Sequence, residues 1–80
     1  MGGGVTASDL QQILLADLVR RHGGTRQRWR RVMGELRVYP PETHPHCNWD
    51  VRPSGPAADV DAVNDAADAL RDRHAQVRPG

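Results

Sequence analysis

Apolar residues at helical spacing define the first long element of the chain. Leucine, isoleucine and valine recur at intervals of three and four, and the residues between them are mostly polar. Ser8 and Gln11 match the two ends of a capping box, and Gly23 suits the left-handed position that often follows a helix. The pattern predicts a helix over residues 8–22, with Ser8 as its N-cap.

A second, shorter helix is predicted directly after a Gly-Gly pair. Thr25 is a helix-capping residue, and Trp29, Val32 and Met33 fall at i, i+3 and i+4, which gathers them on one face. A strand is the alternative, because arginines also alternate with other residues here. Strand alternation would put Trp29 and Val32 on opposite faces, so we expect a helix over residues 26–33 with its arginines outside.

Two short alternating segments then predict a β-hairpin. Residues 35–39 and residues 46–52 each alternate apolar with polar side chains, as half-buried strands do. The segment between them contains three prolines, which can neither donate to a strand ladder nor extend a helix. We therefore expect an antiparallel hairpin over residues 35–52. Its predicted inner face consists of Leu36, Val38, Cys47, Trp49 and Val51, and its outer face of Arg37, Asn48, Asp50 and Arg52.

A second long helix is expected near the C-terminus. A Pro-Ser-Gly-Pro turn precedes it, aspartates occupy its first turns and arginines lie near its end, where each charge suits the helix dipole. Val60, Val63, Ala67 and Leu70 repeat at spacings of three and four, which forms one narrow apolar seam. We expect a helix over residues 56–75 that packs on the hairpin.

These elements define an α+β fold: a long helix, a short basic helix, a two-stranded antiparallel β-hairpin and a C-terminal helix. A chain of 80 residues suffices for one small domain. We assign this domain to residues 8–77, with a flexible leader at residues 1–7 and a tail at residues 78–80. No stretch approaches the roughly 18 consecutive apolar residues of a membrane span, so no membrane partner is expected. The single cysteine, Cys47, excludes an intramolecular disulfide and favours the reducing cytoplasm.

Charge is distributed unevenly along the chain. Residues 1–40 contain seven arginines and three acidic residues, a balance of +4, whereas residues 41–80 contain four arginines and seven acidic residues, a balance of −3. The formal net charge of +1 therefore conceals a basic half and an acidic half. This asymmetry indicates a polyanion or an acidic protein as the partner of the first half.

The most basic segment resembles a helix-turn-helix motif. Such motifs show an apolar residue, a glycine four positions later, a capping Ser or Thr, and apolar residues four and seven positions after the cap. Val19, Gly23, Thr25, Trp29 and Val32 match this pattern in order. Gly24 stands where the motif usually has an apolar residue, and the resemblance covers residues 19–32 only.

The resemblance implies that the second helix enters the major groove of DNA, and that the hairpin acts as a wing. The residues expected to bind nucleic acid are Arg20, Arg21, Arg26, Gln27, Arg28, Arg30, Arg31, Arg37 and Arg52, with His44 as a further phosphate contact. Arginine chemistry supports this expectation independently, because guanidinium pairs bidentately with phosphate or guanine. The alternative is a protein–protein interaction or inhibitor module whose arginine-rich face binds an acidic partner protein. The low apolar fraction, 38%, also leaves a homodimer open.

A second cluster contains zinc-ligand residue types, namely His44, His46 and Cys47. Adjacent residues on a strand point to opposite faces, so His46 and Cys47 are poorly placed to converge on one ion. We expect exposed histidines and a cysteine packed beside Trp49, with no cofactor. No nucleophile–base pattern and no glycine-rich phosphate loop is present, and we therefore expect no enzymatic activity.

Overall fold

The computed structural model describes residues 5–78 of the chain. Its elements in order are β1 (Val5–Thr6), α1 (Ala7–His22), α2 (Arg26–Met33), β2 (Leu36–Val38), β3 (Trp49–Val51), α3 (Ala57–Arg73) and β4 (Val77–Arg78). The predicted α+β architecture is confirmed, including the order of the three helices and the antiparallel pairing of β2 with β3.

Two small sheets flank the helices. In one sheet β2 and β3 are antiparallel, with Arg37 opposite Asp50. In the other β1 and β4 are parallel, with Val5 opposite Val77. The second sheet was not predicted, because two-residue strands show no alternation. The second sheet corrects the prediction of a flexible leader over residues 1–7, since Val5–Thr6 form β1. Arg78 likewise belongs to β4, while residues 1–4 of the leader and 79–80 of the tail lie outside the described residues.

The core lies where the three helices meet. Helix α1 contributes buried leucines and α2 contributes Trp29, Val32 and Met33. Helix α3 packs mainly on α1 and α2, not on the hairpin as the sequence pattern predicted. Ala62 and Ala66 are buried in addition to Val63, Ala67 and Leu70, so the buried face of α3 is wider than the predicted seam.

The start of α1 also differs from the prediction. The N-cap is Thr6, which is extended, and its hydroxyl accepts a hydrogen bond from the Asp9 backbone N–H at 3.2 Å. The Asp9 carboxylate in turn accepts from the Thr6 N–H at 3.3 Å. The capping box is therefore Thr6 with Asp9, and the predicted box of Ser8 with Gln11 is wrong, because the helix begins at Ala7, before Ser8.

Asn48 is the main departure within the hairpin. It was predicted to face outward, but it is 1% exposed. Its amide nitrogen donates to the carbonyls of Tyr39 at 3.0 Å and Val77 at 2.8 Å, and its amide oxygen accepts from the Val77 N–H at 2.8 Å. Its backbone N–H donates to Ala75. These bonds offset the free-energy cost of burying the amide. The strand predicted over residues 46–52 is shorter in the structure, where it begins at Trp49, after Asn48, and ends at Val51.

We predict that Asn48→Ala lowers the free energy of unfolding by about 3 kcal/mol, because it leaves three buried backbone groups without partners. Asn48→Asp should also destabilise, since a carboxylate can accept from Val77 but cannot donate to the two carbonyls. Urea unfolding followed by circular dichroism measures both effects.

The matched control is Asn64→Ala on the exposed face of α3. It should change the free energy of unfolding by no more than about 0.5 kcal/mol. Equal effects of the substitutions at Asn48 and Asn64 would show that the amide network does not hold β4 against the hairpin.

Candidate nucleic-acid interface

Helix α2 is oriented by one buried face. Thr25 caps it by accepting a hydrogen bond from the Arg28 N–H, as predicted, and the interpretation of this segment as a strand is wrong. Trp29 is 2% exposed, and its indole N–H donates to the Gly23 carbonyl at 2.7 Å. This bond ties the helix to the turn before it. The face opposite Trp29 and Met33 is turned to solvent.

That outer face carries Gln27, Arg30 and Arg31, which are all exposed. Arg26 lies on the flank towards α1, where its guanidinium donates to the Gln12 side-chain oxygen at 2.7 Å. Because that partner is neutral, the positive charge of Arg26 is not compensated by it. These four residues of α2 are brought together at the surface, as the sequence predicted.

Arg28 lies on the opposite flank and has a different role. Its guanidinium donates to both carboxylate oxygens of Asp59 on α3, at 2.9 and 3.0 Å. It also lies 4.8 Å from the centroid of the Trp29 ring. Both bonds come from one guanidinium nitrogen, and this charge-assisted contact holds the guanidinium beside Asp59 and compensates its charge. Arg28 therefore links two helices, and Asp59 compensates its charge although the Arg28 side chain remains 49% exposed.

Arg20 and Arg21 are drawn to a single carboxylate on their own helix. Arg20 donates a hydrogen bond to one oxygen of Asp17, and the Arg21 Nε lies 3.3 Å from the other oxygen without hydrogen-bond geometry. Asp17 is only 5% exposed. The two arginines and this acid leave a local balance of one positive charge, so the basic surface is smaller than the sequence suggested.

A groove between α1 and α2 adjoins the exposed arginines. It has a volume of about 390 Å³ and is lined by Gln12, Leu15, Arg26, Gln27 and Arg30. Hydrogen-bond donors therefore surround a small apolar floor. The groove opens on the same side of α2 as Arg26 and Arg30, which enlarges the surface that a ligand of α2 could contact.

The two arginines of the hairpin are both exposed. Arg37 is opposite Asp50, but the Asp50 carboxylate accepts from Arg71 at 3.0 Å. Arg71 also pairs with Asp68. Among residues 5–78, no carboxylate pairs with Arg37 or Arg52. The Arg52 backbone lies beside the C-terminal end of α2, where its carbonyl would be 3.2 Å from a Cβ added at Gly34.

Of the three residues considered as metal ligands, His46 is exposed, whereas His44 and Cys47 have other contacts. His44 stacks on Tyr39, with ring centroids 4.4 Å apart, and lies 2.9 Å from the Thr43 hydroxyl. The Cys47 thiol donates to the Trp49 carbonyl at 3.4 Å. Within the part of the chain that the structure describes, no group of three or more His, Cys, Asp or Glu side chains is arranged to hold a metal ion.

The exposed face of α3 is acidic. Asp61, Asp65, Asp68 and Asp72 are exposed and follow one another at spacings of four, three and four, which places them on one side of the helix. Since the opposite side of α3 packs on α1 and α2, this acidic face points away from α2. The charge distribution along the sequence predicts an acidic half, and the helical spacing of these four aspartates is the signal that would have predicted the stripe.

The chain matches no protein-family model, and no curated protein and no solved structure shows significant similarity to it. None of the helices in residues 5–78 is long and apolar enough to cross a membrane. The geometry of the site is therefore the basis for any functional assignment.

We predict that Arg28 and Asp59 are energetically coupled. In a double-mutant cycle with Arg28→Ala and Asp59→Ala, the coupling should be about 0.5–1 kcal/mol, because the guanidinium is half exposed and solvent screens the pair. Urea unfolding of the four proteins gives this value.

Arg31→Ala is the matched control, since Arg31 is exposed on the same helix and has no ion-pair partner within residues 5–78. It should be nearly neutral for stability. A coupling of zero between Arg28 and Asp59 would return Arg28 to the set of arginines that can bind an external ligand.

Proposed function

We propose that this protein is a small non-enzymatic regulator that binds nucleic acid through Arg26, Gln27, Arg30 and Arg31. One observation carries the proposal: three arginines of α2 lie at the surface without a carboxylate partner among the described residues, although carboxylates engage Arg20, Arg21 and Arg28. The fold thus leaves a defined group of positive charges uncompensated.

The chemistry of this surface suits phosphate and base edges. Each guanidinium presents planar donors that match two phosphate oxygens or the edge of guanine, and Gln27 can pair with adenine. Arg26 and Gln27 lie in the first turn of α2, where backbone N–H groups add to the attraction for anions. The backbone of Arg52 lies beside the other end of α2, and its exposed side chain adds a further positive charge at the surface.

The dimensions of α2 are compatible with the major groove. An α-helix with its side chains is about 10–12 Å in diameter, which matches the groove width of about 12 Å, and the eight residues of α2 extend about 12 Å along it. The acidic stripe on α3 would be repelled by phosphates. The stripe points away from α2. The arginines of α2 and the aspartates of α3 therefore both favour an orientation in which α2 faces the nucleic acid. The succession α1, Gly-Gly-Thr, α2 is also consistent with the helix-turn-helix resemblance.

A second candidate is a protein–protein interaction or inhibitor module that binds an acidic protein. The observation in its favour is that carboxylates already satisfy arginines within this fold, as in the pairs Arg28–Asp59 and Arg71–Asp50. The apolar floor of the groove, Leu15, would also suit a protein side chain. For both candidates we place the protein in a reducing cytoplasm, since Cys47 has no cysteine partner.

We predict that Arg30→Ala combined with Arg31→Ala weakens binding to oligonucleotides, measured by fluorescence anisotropy with duplex and single-stranded probes at several salt concentrations. Wild-type affinity should fall linearly in a log–log plot against salt. Each phosphate contact removed should reduce the slope by about 0.9 on duplex.

The charge-matched control combines Arg73→Ala with Arg78→Ala, which removes two exposed arginines outside α2. It should bind more tightly than the α2 variant at every salt concentration. Absence of binding to both probes at low salt would contradict the proposal. Equal affinity for a glutamate-rich peptide of the same charge would favour the acidic-protein candidate instead.

A further inference from the structure

The outer edge of β2 presents backbone groups that no strand within residues 5–78 occupies. In this part of the chain the sheet has two strands, so β2 is paired on one side. The Tyr39 N–H donates to the Asn48 carbonyl at 2.7 Å, and in the alternating antiparallel pattern this fixes Arg37 and Tyr39 as the residues bonded to β3. The N–H and C=O groups of Leu36 and Val38 therefore point away from β3.

This edge is accessible. An open concavity of about 470 Å³ runs along it and is lined by the five consecutive residues 35–39. The side chains of Leu36 and Val38 pack against the core but remain half-buried. The opposite edge of the sheet is different, because the Val51 N–H donates to the Asp50 carboxylate, which Arg71 also holds. The edge of β2 is thus the one suited to strand addition.

The charges along this edge are complementary to themselves. Glu35 and Arg37 are exposed and flank the half-buried Leu36. If two copies of β2 pair antiparallel about a two-fold axis at Leu36, each Glu35 lies directly opposite Arg37 of the other copy. Both contacts join opposite charges, and they fall at the non-hydrogen-bonded positions where facing side chains are closest. The neighbouring symmetric register is centred on Arg37 and would place two arginines against each other.

We propose that two copies of this chain associate through the edges of β2. The product is a four-stranded sheet in the order β3, β2, β2, β3, with the hydrogen-bonded pair Leu36–Leu36 at its centre. The contact is isologous, since the same surface serves both copies. It satisfies the outward N–H and C=O groups of Leu36 in both copies and covers the exposed parts of the two half-buried Leu36 side chains.

The contact is small, which sets its strength. Strand β2 has three residues, and Pro40 limits its extension because proline cannot donate to a ladder. The area buried falls below that of a permanent dimer. The association is therefore reversible, and it depends on the two ion pairs for its register. It does not rest on the nucleic-acid proposal, since none of its residues belongs to α2.

The test is sedimentation velocity of the full chain from micromolar to millimolar concentration. Wild type should form a dimer as concentration rises. Arg37→Glu and Glu35→Arg each replace two attractive pairs by two repulsive ones and should each weaken association roughly tenfold. The charge swap, Glu35→Arg with Arg37→Glu, restores both pairs and should recover dimerisation.

Arg73→Glu, on the exposed face of α3, has the same net charge as Arg37→Glu and should associate like wild type. Circular dichroism checks that each variant is folded. A wild-type chain that stays monomeric at millimolar concentration overturns the proposal. So does a dimer that the swap fails to restore, or one that Arg73→Glu weakens as much as Arg37→Glu does.

Discussion

The burial of Trp29 determines which side of α2 meets solvent. Its ring is the largest side chain in the helical core, and its indole N–H needs an acceptor once it is buried. The Gly23 carbonyl supplies that acceptor from the turn between α1 and α2. Since one helix face is fixed by this residue together with Val32 and Met33, the positions of Arg26, Arg28, Arg30 and Arg31 follow from helical geometry.

Nearby carboxylates then determine which arginines keep an uncompensated positive charge. Asp59 captures Arg28 with two hydrogen bonds, and Asp17 draws both arginines at the end of α1. The energy of such pairs is modest when they are exposed. Their effect on the charge distribution is larger, because each pair compensates positive charge at the surface that a polyanion would contact. The basic surface is therefore defined as much by acids as by arginines.

Local patterns predicted much of this fold. The apolar spacing of α1 and α2, the cap at Thr25 and the hairpin alternation all depend on residues close in sequence, and the structure confirms them. The parts that could not be predicted depend on long-range contacts. The pairing of β1 with β4 joins residues 72 positions apart, as for Val5 and Val77. The burial of Asn48 similarly depends on Val77, 29 residues later.

In the candidate site, too, local features could be predicted from the sequence and long-range contacts could not. Helical spacing predicted that Gln27, Arg30 and Arg31 face outward, but nothing in the spacing indicates that Arg28 meets Asp59, 31 residues away. To predict that contact, one has to know that α3 packs against α2, which the local sequence pattern does not show.

The packing of α3 also separates the two signs of charge. Its apolar face turns towards α1 and α2, so the aspartates of the acidic stripe (Asp61, Asp65, Asp68 and Asp72) turn outward. The acidic stripe and the arginines of α2 consequently occupy different sides of one small domain. Hydrophobic burial thus determines which side of the domain is basic and which is acidic. A highly charged partner therefore binds more favourably to the side of opposite charge.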